Sequence, residues 1–327
     1  MMKMVETGTP IDALNGGVRF KSVNLLYGPT ACGKTSLMIK MAQNLSKKGW
    51  KIIYIDTEGA LYGDEFEGKI LYADTLREQG DAVRKAAKIA SVYTEPFLII
   101  VDTLTGHFHR QVQGVPSQFR AAKAGDLTGP LVSQIAVLKR VVRRGGIAFV
   151  TAHLRSKVSE AFRQHELRKV AELVKSGKYV PTREVYARLF ERDIEWLGGH
   201  GLGIHTQFHF RIWIDRDGSR ILQIEKWPLV SNWCVRYVKR GDEFVVLGER
   251  FEMDQELRAR LMQAEVEALM ARAVEGVEET SKIAEEEGIE VEEAKPKRGK
   301  AETGGVELPQ PEPVDKLIEK FKKGSGK

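Results

Sequence analysis

Four apolar runs rich in β-branched residues mark the first half of the chain, at residues 23–27, "KIIYID" at 51–56, "FLIIVD" at 97–102 and "GIAFVT" at 146–151. They are continuous rather than alternating, which is the pattern of strands covered on both faces. Helical periodicity fills the intervals near 34–48, 79–93 and 129–144. Strand and helix in alternation predict right-handed crossovers and a mostly parallel, twisted sheet with helices on both faces. Further on the pattern changes to alternating strands at 206–215, 220–227 and 234–238, with Asp217-Gly218 as the turn of an antiparallel hairpin. The predicted fold class is α/β with an antiparallel C-terminal extension.

Three segments fall outside this rhythm. Residues 155–195 carry ten Lys and Arg and seven Asp and Glu, are helix-like, and are too long for an ordinary loop, so they read as an insertion in a core spanning 1–251. Residues 252–279 read as one amphipathic helix, with Leu257, Leu261, Leu269, Ala273 and Val277 near helical spacing. Residues 280–327 read as an acidic flexible tail, closed by a short helix with Val314, Leu317, Ile318 and Phe321 on one face.

Composition adds limits. At 327 residues and 42% hydrophobic content the chain can bury a sizeable core. No run approaches the roughly 18–20 apolar residues of a membrane span, and the start has no apolar signal region, so a cytoplasmic protein with no membrane partner is expected. Cys32 and Cys234 are the whole cysteine complement, which argues against a disulfide framework. The net charge of +6 hides a division: residues 252–327 hold 13 Lys and Arg against 19 Asp and Glu, leaving +12 on residues 1–251. A basic core suits a polyanion such as nucleic acid, although a general surface excess of charge gives the same sum.

The sharpest chemical signal is "GPTACGKTS", Gly28 to Ser36, which follows an apolar strand and opens a helix. The spacing G-x-x-x-x-G-K-T is a phosphate-gripping loop. Backbone N–H groups of Gly28, Pro29, Thr30, Ala31, Cys32, Gly33, Lys34, Thr35 and Ser36 (proline excepted) surround the phosphates, Lys34 reaches the β- and γ-phosphates, and the Thr35 hydroxyl ligates Mg²⁺. Asp102 ends a buried strand at the carboxyl edge of the sheet and is the natural second holder of Mg²⁺. Hydrolysis needs a group to orient or deprotonate water, and "YIDTEGA" offers two, Asp56 and Glu58. Position alone does not choose between them.

The succession "TGTPIDALNGGV", "LLYGPTACGKTS", "YIDTEGA", "ILYADTL", "LIIVDTLTGHF", "FVTAH" and "LGGHGLG", over roughly residues 7–250, resembles the RecA/RadA recombinase family, in particular its archaeal RadA and RadB branch. The resemblance implies a RecA-like ATPase using ATP and Mg²⁺, with Glu58 as the catalytic residue that activates water and Asp56 in a structural role. It also implies DNA-binding loops at about 106–127 and between His153 and Gly198. Single-stranded DNA is then the expected partner, a main recombinase or other repair protein a further one, and a homo-oligomer is possible within the family. Basic residues placed to track phosphates are Arg110, Arg120 and Lys123 in the first loop and Arg155, Lys157, Arg163, Arg168 and Lys169 in the second. Phe108, Phe119 and Phe162 offer stacking faces.

The chain departs from the family in places. Where the family commonly has Thr-Asn-Gln, this chain reads Thr151-Ala152-His153. His153 either takes over the γ-phosphate sensing of that Gln or is a packing residue. The stretch between Glu58 and "ILYADTL" is shorter than the helix expected there. The core starts too early for the family's helical DNA-binding domain and polymerisation linker, so filament formation by the usual route is not expected. An alternative from another class is a RecA-fold nucleotide switch, like the circadian-clock ATPases, that binds a protein without a DNA role.

Overall fold

The computed structural model describes residues 3–61, 66–156, 194–196, 206–226 and 232–265. Its centre is a ten-stranded sheet. β3 (Val23–Gly28), β4 (Lys51–Asp56), β5 (Lys69–Tyr72), β6 (Phe97–Asp102) and β7 (Gly146–Ser156) are the parallel part, and β9 (Phe208–Ile214), β10 (Arg220–Lys226), β11 (Trp233–Arg240) and β12 (Glu243–Glu252) form an antiparallel meander. The order across the sheet is β12-β11-β10-β9-β3-β7-β6-β4-β5. β3 therefore lies between β7 and β9, parallel to both. The short β8 (Ile194–Trp196) pairs with the far end of β7. A separate pair, β1 (Met4–Val5) and β2 (Val18–Arg19), brackets α1 (Pro10–Asn15).

The continuous apolar runs are explained by burial from both sides. Leu25, Val101 and Val150 enter one core with α3 (Leu76–Ala90) and α5 (Arg120–Val142), whereas Leu26, Ile100 and Phe149 enter another with α2 (Lys34–Lys47). α3 starts at Thr75, whose hydroxyl accepts from the Glu78 N–H. The expected hairpin is present: Gly218 takes a φ of 78° and the Asp215 N–H donates to the Ser219 carbonyl at 2.9 Å.

Several elements differ from the sequence reading. The helix expected at 129–144 begins nine residues earlier, at Arg120, and carries Pro130 inside it. The ring of Pro130 sits in the helix interior and forfeits one backbone bond. The expected loop at 106–127 is largely helical, made of α4 (Gly106–Gln113), a 3₁₀ turn at Ser117–Phe119 and the first turns of α5. β7 runs five residues past 151, so Arg155 belongs to a strand, its backbone paired with Glu195. β12 was not expected at all. The rest of the insertion, and everything after residue 265, lies outside the described residues. Among the described residues no helix is long and apolar enough to cross a membrane.

On the antiparallel half, side chains alternate. Phe208, Phe210 and Ile212 join the α2 core, while Trp213 turns to the opposite face, where it meets Leu261 and Met262 of the helix at 255–265. Arg211 shares that face and is 5% exposed. Its guanidinium donates to Glu265 Oε2 at 3.0 Å, lies 3.9 Å from Glu225 and stacks 3.3 Å from the Trp213 ring centroid. Burial pushes the Glu225 carboxyl up to about 7, opposed by Arg258 and assisted by Glu265. Between its ordinary 4.5 and 7, the folded chain keeps a proton that the unfolded chain has released, so this group lowers stability as pH rises through that window. Glu225→Gln is accordingly expected to be more stable than the wild type at pH 8, with the difference vanishing toward pH 4. Urea midpoints measured across that range check it, and parallel curves for the two proteins would remove Glu225 from the pH dependence.

Candidate functional site

The parallel strands bring their carboxyl ends to one edge in register: Gly28 of β3 stands opposite His153 of β7, and Asp56 of β4 opposite Asp102 of β6. This edge collects most of the residues singled out in the sequence.

The phosphate loop bridges β3 and α2 with Ala31 and Gly33 both at positive φ, 62° and 97°. Glycine is needed at 28 for a different reason. A Cβ there would fall 2.8 Å from both Cys32 Sγ and the Ile212 carbonyl, so the strand end is packed too tightly for any side chain. Lys34 is buried, and its ammonium folds back to donate to the Gly28 and Pro29 carbonyls at 3.2 and 2.9 Å. Thr35 and Ser36 follow it at the half-buried N-terminal turn of α2, and Thr30 and Ala31 are exposed at the loop's tip. Cys32 is fully buried and burial raises its thiol above the ordinary range. The Cys32 carbonyl accepts from Arg220 Nε of β10 at 2.9 Å, which ties the loop to the antiparallel half of the sheet. This cradle of left-handed and glycine positions at a helix N-terminus has the shape and polarity a nucleotide's phosphates require.

Asp102 accepts from the Tyr54 hydroxyl at 2.7 Å through one oxygen and from the Thr151 hydroxyl through the other. Two hydroxyl donors fix the plane of this carboxylate. Burial, followed by the neighbouring Asp102, raises Tyr54 well above its usual range and keeps it a neutral donor. Among the described residues no group of three His, Cys, Asp or Glu side chains is arranged to hold a metal by itself.

Asp56 and Glu58 are treated differently by the fold. Asp56 is 2% exposed and accepts from three backbone N–H groups, those of Glu58 and Gly59 through Oδ1 at 3.0 and 2.9 Å and that of Leu61 through Oδ2 at 3.0 Å. Glu58 projects from the turn so built. Its Oε1 lies 2.8 Å from His153 Nε2 and 3.2 Å from the Thr103 hydroxyl. The His153 hydrogen bond holds the Glu58 carboxyl below the usual carboxylate range, with partial burial opposing and Lys34 adding to the lowering. His153 is itself fixed, its N–H donating to the Thr105 hydroxyl at 3.1 Å. A Cβ on Gly106 would stand 2.9 Å from Thr103 Oγ1 and 3.2 Å from Glu58 Oε1, so this glycine keeps the space around Glu58 open.

Three of the basic residues expected to meet DNA have described side chains, Arg110, Arg120 and Lys123. The Arg110 side chain turns inward onto the Thr57 carbonyl and His107. Arg120 donates to the Val115 and Gln113 carbonyls at 3.2 and 3.4 Å, closing the end of α4. Lys123 is half-buried on α5. The side chain of Arg155, and all of Lys157, Arg163, Arg168 and Lys169, lie outside the described residues. Of the aromatic residues, Phe119 is 56% exposed, Phe108 is 1% exposed in the α3/α5 core and so offers no stacking face, and Phe162 is outside the described residues.

Sequence reasoning missed Tyr54, Thr103, Thr105, Thr151 and Arg220, which orient the carboxylates, His153 and the loop. The threonines sit next to the strand-end motifs, a signal that was available; nothing local marks Arg220.

The chain matches no family model. A DNA repair and recombination protein RadB from Archaeoglobus fulgidus is 28% identical over 225 residues, covering 59% of this chain and 98% of that protein. The RadB protein of Halobacterium salinarum is 29% identical over 157 residues, 43% of this chain and 63% of that protein. The RadB protein of Methanococcoides burtonii is 30% identical over 163 residues, 45% of this chain and 68% of that protein. A RecA-like sheet with a phosphate loop on its central strand is the frame these likenesses imply, and the frame observed here has both. An identity of 30% sustained over two thirds of a RadB protein places this chain in the RadB family.

Proposed function

We propose that this chain binds ATP with Mg²⁺, hydrolyses it slowly, and couples the nucleotide to single-stranded DNA in recombination or repair, assisting a main recombinase. The observation that supports this reading most is the division of labour between the two acids of "YIDTEGA". Asp56 is consumed by backbone donors, which leaves Glu58, oriented by His153 and Thr103 beside the phosphate loop, as the group that activates water. Lys34 would exchange its loop carbonyls for the β- and γ-phosphates. Thr35 and Asp102 would hold Mg²⁺, Asp102 through water because hydroxyls already engage both of its oxygens. Mg²⁺ supplies neutralisation of the phosphate charge; the chain supplies position.

The DNA part rests on the +12 charge of residues 1–251 and on the family's role in recombination and repair. ATP turnover and filter binding, measured with and without single-stranded DNA at two salt concentrations, test both halves. Turnover that rises with DNA and binding that weakens with salt are expected. Turnover indifferent to any nucleic acid would favour the nucleotide-switch alternative.

His153 joins the two halves, since its side chain touches Glu58 and its strand leads directly into the segment expected to bind DNA. His153→Ala is expected to leave ATP affinity nearly intact while removing the difference in DNA affinity between ATP and ADP states, a coupling of about 5- to 150-fold in typical linked systems. An undiminished ATP-versus-ADP difference in the variant would make His153 a packing residue.

A further inference from the structure

We infer that Arg110 is a positioning residue for Glu58, acting through the backbone of the turn that carries it, and is not a DNA phosphate contact. The inference rests on the proposed ATPase role of Glu58. The Arg110 guanidinium donates to the Thr57 carbonyl at 3.3 Å and to His107 Nδ1 at 2.6 Å. The Thr57 carbonyl and the Glu58 N–H belong to one peptide plane, and the Glu58 N–H donates to Asp56 at 3.0 Å. The peptide that aims Glu58 is thus gripped at both of its polar ends, by Asp56 from its own strand and by Arg110 from α4.

The arrangement behind Arg110 is equally specific. His107 is 2% exposed and its Nε2 meets the Ala73 carbonyl at 2.7 Å, so Nε2 carries the proton and Nδ1 is the acceptor that orients Arg110. Burial lowers the His107 pKa, and Arg110 lowers it further against the pull of Asp74 and Glu78, which keeps the ring neutral and this tautomer in place. Ala73 in turn donates its N–H to the Asp56 carbonyl at 3.1 Å. The Thr57 side chain adds a second tie between the same turn and α4's approach: its hydroxyl donates to the Thr103 carbonyl and accepts the Thr103 N–H, both at 2.8 Å. α4 therefore connects the segment at 114–127 with the water-activating turn through a run of hydrogen bonds. A change in the pose of α4 transmits to Glu58 by way of Arg110 and His107.

Arg110 is on the exposed face of α4, so Arg110→Ala is expected to fold normally. In the full chain it should lower kcat by roughly 10- to 100-fold with KM for ATP nearly unchanged, as misplacement of a reacting group does. Affinity for a single-stranded oligonucleotide, and the slope of that affinity against salt, should match the wild type. Backbone amide exchange at Glu58 and Gly59 should quicken, a readout that needs no turnover and stands even if the wild type proves not to hydrolyse ATP. Unchanged exchange together with a salt slope reduced by about one would overturn the inference and return Arg110 to the phosphate backbone.

Discussion

Glu58→Gln is expected to bind ATP as tightly as the wild type and to turn it over about 10²- to 10⁴-fold more slowly, the range over which a positioned general base acts. The amide keeps the size of the carboxylate and can still meet His153 and Thr103, so the surrounding geometry survives while the capacity to take a proton is lost. Lys34→Ala should show the opposite division. It removes the ammonium that lies among the loop carbonyls, and with it tight ATP binding, so its defect appears as lost affinity. Equilibrium binding of a fluorescent ATP analogue and single-turnover hydrolysis, run on both variants, separate the two effects. Wild-type turnover by Glu58→Gln would take Glu58 out of the chemistry. Should Asp56→Asn be the variant that alone loses turnover without unfolding, the assignment of the two acids would have to be exchanged.

The second large effect concerns stability. Glu265→Ala is expected to cost about 3–5 kcal/mol, because among the described residues it leaves the buried Arg211 guanidinium with Glu225, at 3.9 Å, as its acidic neighbour. Burial already lowers the Arg211 pKa, while Glu265 works against that lowering. Replacing both partners by apolar residues, Arg211→Met with Glu265→Leu, should recover most of the loss, since Arg211 already stacks on Trp213, a member of the apolar cluster on that face. Urea unfolding at neutral pH measures both, and a loss below 1 kcal/mol for Glu265→Ala would mean that water or a rearranged side chain satisfies Arg211.

This pair also shows where sequence reasoning stops. In "FHFRIWI" the charged Arg211 reads as an outward position of a half-exposed strand. Only the docking of the helix at 255–265, some fifty residues later, makes that face interior. The phosphate loop, by contrast, was legible because its requirement is local: two glycines, a lysine and a threonine between one strand and one helix. The apolar strands β3, β4, β6 and β7 were legible because burial on both faces leaves a continuous run. β12 lacked such a signal, since only one flank is paired and its residues are mostly half-exposed or exposed. At the site, the sequence offered Asp56 and Glu58 as equals. Family likeness favours Glu58, and the three backbone N–H groups on Asp56, which support that proposal, are visible only in three dimensions. Arg110 illustrates the converse: a basic residue in a segment expected to bind DNA suggests phosphate, yet its hydrogen bonds run inward.

The place of β3 in the sheet has a consequence for synthesis. The phosphate loop is complete in sequence by residue 36, but its strand is flanked on one side only when β7 has emerged and on the other only when β9 has. The side-chain tie from Arg220 to the Cys32 carbonyl arrives later still. A chain emerging from the ribosome therefore carries the nucleotide motif for most of its translation without the neighbours that shape it. Nascent chains stalled before residue 208 should expose one edge of β3, and those extended past residue 226 should be the first able to retain ATP.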